Sequence, residues 1–230
     1  AAAHYPAHGL LRVCYAGDMC FSAPASFVAG AALTATGVVT TRAASRRARL
    51  FAAIPLIFGV QQFLDGIAWI SAGSTLQDYA AYGYAFFAYV FWPVWIPLAV
   101  LQLEERARAQ RVIRVLLGLG VLVSVYAIVL MLAGPVTARA VNACIRYDTA
   151  VPYWPPILAL YMLATCGACI ASSHTFIKWF GALTAISALI AGWFYFATFS
   201  SVWCFFAAVL SAMIYWYVQD SASQKRSRRT

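Results

Sequence analysis

The feature that most constrains this chain is a series of apolar runs, each about twenty residues long, cut apart by short polar segments that hold most of its arginines. A helix of roughly 20 residues crosses a hydrocarbon layer about 30 Å thick, where no water can satisfy an open backbone. The runs are Phe21–Thr40, Leu50–Ser71, Tyr79–Leu103, Val112–Ala133, Trp154–Ser173, Ile177–Phe199 and Val202–Val218. They predict an all-α polytopic membrane protein with seven transmembrane helices. Composition excludes the alternative of a water-soluble core. Hydrophobic residues make up 63% of the chain and charged ones 10%, against roughly 45–50% and 25% in soluble domains.

The expected organisation is an extramembrane N-terminal arm (residues 1–20), a bundle (21–218) and a basic C-terminal tail (219–230). No internal repeat or second domain is evident. The sequence opens Ala1-Ala2-Ala3-His4 without Met, which is the expectation for a chain whose leading segment has been removed. Between the last two runs, Ser201 is expected to cap the seventh helix.

Orientation follows from the cations. Arg42, Arg46, Arg47, Arg49, Arg106, Arg108, Arg111, Arg114, Lys178, Lys225, Arg226, Arg228 and Arg229 fall on one side, and Arg12, Arg139 and Arg146 on the other. Cytoplasmic loops concentrate Lys and Arg, so the N-terminus is expected outside and the C-terminus inside. Trp69, Tyr79, Tyr82, Trp154 and Trp203 are expected at the outer interface, and Trp179, Trp216 and Tyr217 at the inner one. The net charge of +9 is therefore an anchoring pattern. It does not form the aromatic and basic surface of a nucleic-acid binder.

Within the runs, Asp65 is the one carboxylate at membrane depth, and Gln61, Asp65 and Trp69 share a helical face with Gln62 beside them. An acid at this depth is costly, faces the interior and is paired or neutralised. It reads either as a proton, cation or ligand site or as a hydrogen-bonded clamp between helices. Phe91-Trp92-Pro93-Val94-Trp95-Ile96-Pro97 predicts a kink, because each Pro removes a donor and crowds the turn before it. Trp92 and Trp95 are the expected walls of any pocket formed there; the alternative, which the sequence favours, is aromatic packing against neighbouring helices.

Cys166 and Cys169 form a C-x-x-C inside a small-residue stretch, read as a packing face because no further ligands complete a zinc site. Cys14, Cys20 and Cys144 fall on the expected outer side, where Cys144 is placed to bridge to either of the others if that side is oxidising. His174 is expected to cap the C-terminal end of the fifth run. No metal or catalytic constellation is assigned.

Two cofactor classes are excluded. Retinal needs a lysine inside the seventh span, and the only lysines, Lys178 and Lys225, lie in polar segments. A bis-histidine haem needs mid-membrane histidines, and His4, His8 and His174 are not so placed. Glu105-Arg106 after the third run faintly resembles the acidic-Arg pair of G-protein-coupled receptors, but no Asn-Pro-x-x-Tyr follows in the seventh.

Met19-Cys20-Phe21-Ser22-Ala23-Pro24-Ala25-Ser26-Phe27, the stretch Ile57 to Gly66, Phe91-Trp92-Pro93 and the stretch Ser201 to Ala208 together resemble a family of mostly bacterial membrane proteins whose chains open Met-Cys-Phe-Ser-Ala. The resemblance covers Met19 to about Tyr217. It implies a polytopic fold and no activity. The eighteen residues ahead of Met19 depart from that pattern and argue against a terminal role for Cys20.

The expected function is that of a non-catalytic accessory or structural subunit of a larger respiratory or photosynthetic membrane complex. The expected partners are membrane lipids and other membrane subunits, and nucleic acid is not among them. The expected setting is a bacterial inner membrane or an organelle inner or thylakoid-type membrane. The alternatives are a stand-alone transporter or small hydrophobic-ligand binder centred on Asp65, and an intramembrane enzyme using Cys204 or His174.

Overall fold

The computed structural model describes residues 22–141, 144–149, 155–195 and 198–227, with side chains as far as Asp220 and without that of Pro155. The helices are α1 (Ala23–Ala43), α2 (Arg49–Ala52), α3 (Ile54–Ile70), α4 (Thr75–Ala85), α5 (Trp92–Leu103), α6 (Ala107–Ala133), α7 (Pro155–Met162), α8 (Ala168–Ala171), α9 (Thr175–Phe194), α10 (Phe199–Ser211) and α11 (Ile214–Ser227). Several join end to end. α4 enters α5 through a π-helical turn at Phe86–Phe91, and α7 enters α8 through another at Leu163–Gly167.

Six of the resulting segments among the described residues are long and apolar enough to cross a bilayer: Ala23–Ala43, Arg49–Ile70, Thr75–Leu103, Ala107–Ala133, Thr175–Phe194 and Phe199–Asp220. Where the fifth run was expected lies the shorter apolar helix Pro156–Ala171. This is the build of a membrane protein. The expected N-terminal arm, with Cys14 and Cys20, lies outside the described residues.

The chain is not purely helical. Between α6 and α7, β1 (Thr137–Val141) and β2 (Cys144–Asp148) pair antiparallel, with Ala138 opposite Tyr147 and Arg139 opposite Arg146. Alternation decides which face is which. Ala138, Ile145 and Tyr147 are buried, while Arg139 and Arg146 point outward. Like charges directly opposite would repel. Asp148 lies 2.6 Å from Arg146 and 3.8 Å from Arg139, and so offsets them.

Close approach of helices rests on glycine. A methyl group at Gly37 of α1 would overlap the backbone of Leu56 in α3, and one at Gly59 would meet Thr34 and the Gly30 carbonyl. Small residues let membrane helices pack backbone to backbone, and here they fix α1 on α3. On the other side of the bundle, a methyl group at Gly120 of α6 would overlap the Pro93 carbonyl oxygen. Pro97 has no N–H to give that carbonyl, so the contact lies where the helix is open.

The π-helical turn is closed by side chains. Ser124 Oγ donates to the Val90 carbonyl at 2.6 Å, and the Tyr161 hydroxyl donates to the Ala88 carbonyl at 2.8 Å. In hydrocarbon an unsatisfied backbone group is expensive, so the irregular turn persists where hydroxyls from α6 and α7 reach it. Where Pro93 and Pro97 predict a kink, the helix carries a π-helical turn immediately before Trp92.

Candidate functional site

The polar interior is organised by α3. Asp65 lies one turn from its C-terminal end and is 5% exposed. Ser26 Oγ of α1 donates to its Oδ2 at 2.7 Å, and the Tyr147 hydroxyl of β2 donates to its Oδ1 at 2.7 Å. Ser201, in the first turn of α10, turns a third hydroxyl toward the carboxyl group. Each donor is positioned by its own element. Ser26 lies on the buried face of α1 with Gly30 and Leu33, and Tyr147 is on the inward face of the hairpin.

A second row of hydroxyls backs the first. The Tyr84 ring lies flat on Tyr147, with centroids 4.1 Å apart and planes 1° from parallel. Its hydroxyl donates to the Ser200 carbonyl at 3.1 Å, and the Tyr89 hydroxyl is 2.6 Å from Ser200 Oγ. Five elements thus converge on one buried acid: α1, α3, α4 with its π-helical extension, β2 and α10.

One turn along α3, Gln61 is fully buried. Its Oε1 accepts from the Trp92 indole at 2.7 Å, and Trp92 stacks on Phe58 at 4.0 Å. Gln61 Nε2 has no hydrogen-bond acceptor, and the nearby Cys204 thiol is at best a weak one. Gln62 is also buried.

Two cavities of about 40 Å³ each flank this core. Ala88, Tyr89, Tyr126, Phe199 and Ser200 contribute to one, and Phe58, Trp92, Cys166, Cys169, Phe180 and Thr184 to the other. Tyr161, Trp203 and Cys204 line both. Roughly 10–15 Å³ admits a water molecule, so each can hold one beside the polar groups named.

Several expectations are revised. Trp95 follows the packing alternative: it lines neither cavity and stacks on Phe91 at 5.0 Å, and its buried indole N–H has no partner. Trp203 is buried and donates to the Thr184 carbonyl at 3.2 Å, so it is a core residue and not an interfacial anchor. Ser201 lies inside α10, which starts two residues earlier, and serves Asp65 and not the helix end. His174 precedes α9, and its ring nitrogen meets Leu103 O, the last carbonyl of α5, at 3.1 Å.

Cys166 and Cys169 are buried where α8 meets α9, and a methyl group at Gly181 would strike Cys169. Cys144 is buried, and its expected partners Cys14 and Cys20 lie outside the described residues. Among the described residues, no three His, Cys, Asp or Glu side chains cluster as a metal site.

Sequence reasoning found Asp65, Gln61 and Trp92 and missed Ser26, Tyr84, Tyr147 and Ser200. It also missed Glu104, which follows α5 at the opposite end of the bundle and is 3% exposed. The Glu104 carboxylate accepts from Ser172 Oγ at 3.1 Å, Ser173 N at 2.6 Å and Ser173 Oγ at 2.7 Å, and from the N–H groups of Glu105 and Arg106. Burial alone would raise its pKa. The hydrogen bonds, led by those from Ser173, outweigh that and hold it down at about 2. This cluster ties the turn after α5 to the turn before α9 and leaves its acid fully engaged.

Fold and site together define a polytopic helical membrane protein with a hydroxyl-ringed acid enclosed in its bundle. The chain belongs to a family of unknown function, DUF6629, which it matches over residues 19–229. No curated protein and no solved structure matches it.

Proposed function

We propose that this protein crosses the membrane seven times, with its N-terminus outside, and binds a small solute inside the bundle at Asp65 as a stand-alone binder or carrier. In this reading the shorter apolar helix Pro156–Ala171, fifth in chain order, also crosses the membrane. The orientation rests on the cation bias of the loops. One observation carries the binding reading. Asp65 is enclosed at membrane depth by neutral hydroxyls, and among the described residues no Lys, Arg or His hydrogen-bonds or ion-pairs with it. A carboxylate so placed needs a partner of opposite charge or a proton, and such residues mark ion and substrate pathways.

The test is Asp65→Asn. The purified protein in mild detergent is unfolded thermally against a panel of salts, protonated amines and pH values. The binding reading expects a response of the wild type that the variant lacks while keeping its fold. A variant that matches the wild type throughout sinks it.

A second reading, an accessory subunit of a larger membrane complex, is compatible with the uncovered apolar faces of α6 and α9, which suit lipid and a partner subunit alike. Leu132 and Trp193 are each 84% exposed, and Val115 and Leu189 are nearly as open. Extraction from native membranes separates the readings. Migration of the 25.1 kDa chain as a lone particle supports the binder, and co-migration with a large assembly supports the subunit.

A further inference from the structure

The chemistry around Asp65 narrows the solute, an inference that rests on the binding reading above. The geometry points to a hard monovalent cation of alkali-ion size, held by the Asp65 carboxylate with Ser26, Ser201 and Tyr147 as oxygen ligands.

Charge comes first. The cluster carries one carboxylate and no cationic side chain bonded to it among the described residues. One positive charge therefore neutralises it. Divalent sites gather several carboxylates or retained waters around six or more oxygens, and among the described residues no three His, Cys, Asp or Glu side chains gather here.

Ligand type comes second. The hydroxyls of Ser26 in α1 and Tyr147 in β2 each donate to one of the two carboxylate oxygens, and Ser201 of α10 is a third hydroxyl partner of the acid. A hydroxyl that donates to a carboxylate keeps lone pairs, so a modest rotation turns the same oxygen toward an ion. Oxygen donors suit hard cations, and the one soft atom nearby, Cys204 Sγ, belongs to the Tyr84 and Gln61 side of the cluster.

An independent observation is Gln61. It is fully buried one turn along the same face of α3, with Oε1 fixed by Trp92 and only the Cys204 thiol, a weak acceptor, near Nε2. A buried donor left unmade is costly, and a water of the ion's shell would satisfy it. A proton would also neutralise Asp65, so the response to salt at fixed pH decides between the two.

The test uses the whole protein in detergent. Thermal unfolding is followed in NaCl, KCl, LiCl and N-methylglucamine chloride at equal ionic strength and at pH values either side of neutrality. The expected result is a saturable rise of several degrees in one alkali salt over N-methylglucamine, because a ligand that binds only the folded state raises its stability with concentration. Asp65→Asn abolishes the rise. Ser26→Ala and Ser201→Ala each move the half-saturating concentration upward by about tenfold, the scale of one lost hydrogen bond. Ser211→Ala, whose hydroxyl serves only the Ala208 carbonyl of its own helix, keeps the wild-type response.

If the midpoint depends on pH through Asp65 but is equal in all four salts, Asp65 is a proton site. The cation inference then falls and the binding reading stands. If neither salt nor pH acts through Asp65, both fall. Should Asp65→Asn fail to fold, the serine variants decide, and an unchanged salt response in both overturns the inference.

Discussion

Tyr147 on the hairpin and Asp65 in α3 are 82 residues apart in sequence, yet the tyrosine hydroxyl donates to the carboxylate at 2.7 Å. The bond fastens a two-stranded element to the helical bundle at its most polar point. The Tyr147 ring is held independently, flat against Tyr84. Ring and hydroxyl can therefore be separated experimentally.

Tyr147→Phe keeps the stacked pair and removes one donor from Asp65. A hydrogen bond to a charged or buried acceptor is worth about 1.5–3 kcal/mol, so the variant is expected to unfold that much more readily in detergent. Tyr147→Ala loses the ring contact as well and should cost more. A Phe variant as stable as the wild type would show that the hydroxyl is not a partner of Asp65. The comparison is read by thermal unfolding.

Gly120 and Gly118 make a matched pair on α6. A methyl group at Gly120 would overlap the Pro93 carbonyl oxygen, whereas one at Gly118 meets nothing within 4 Å. Gly118→Ala is expected to be neutral or to gain up to about 1 kcal/mol from helix propensity alone. Gly120→Ala is expected to lose about 1–3 kcal/mol by forcing α5 and α6 apart. Parallel melts of the two variants check both signs.

What the sequence made legible, and what it did not, divides along the line between local and distant information. Apolar run length is local, so most of the spans could be read directly. Asp65, Gln61 and Trp92 stood out because a polar group in a long apolar run, or a Trp beside two prolines, is conspicuous by itself. Ser26 and Tyr147 were invisible as site residues because their role lies in where they arrive, 39 and 82 positions from Asp65. The hairpin is not legible in the sequence because two five-residue strands give too short an alternation. Ser201 reads as a helix end because two consecutive serines look like a cap, and the start of α10 at Phe199 puts it inside the first turn.

The Trp92–Gln61 bond gives a third prediction. Trp92→Phe keeps an aromatic ring on Phe58 but leaves Gln61 Oε1 without its donor, in a residue whose Nε2 already lacks an acceptor. The whole buried amide is then unpartnered, a loss of about 1–3 kcal/mol. Adding Gln61→Leu to Trp92→Phe removes the orphaned groups and should restore part of the stability. A double-mutant cycle measures the coupling directly, and strict additivity would count against the bond.

Glu104 supplies a prediction in pH. Its carboxylate titrates near 4.5 when free and at about 2 in the folded protein. The folded value is depressed, so the ionised form is favoured by folding. The stabilisation is fully present above pH 4.5, declines as pH falls toward 2, and is gone once the folded protein is also protonated. Glu104→Gln keeps the shape but removes the charge that Ser172, Ser173 and the N–H groups of Glu105 and Arg106 donate to. Near neutral pH it should cost about 2 kcal/mol, and the gap between variant and wild type should narrow on acidification across that window. Ser173→Ala removes one of those donors and should reproduce the pattern at smaller amplitude. Unfolding midpoints of the three proteins against pH check this, and parallel curves for all three would mean that the turn after α5 is held by something other than the Glu104 charge.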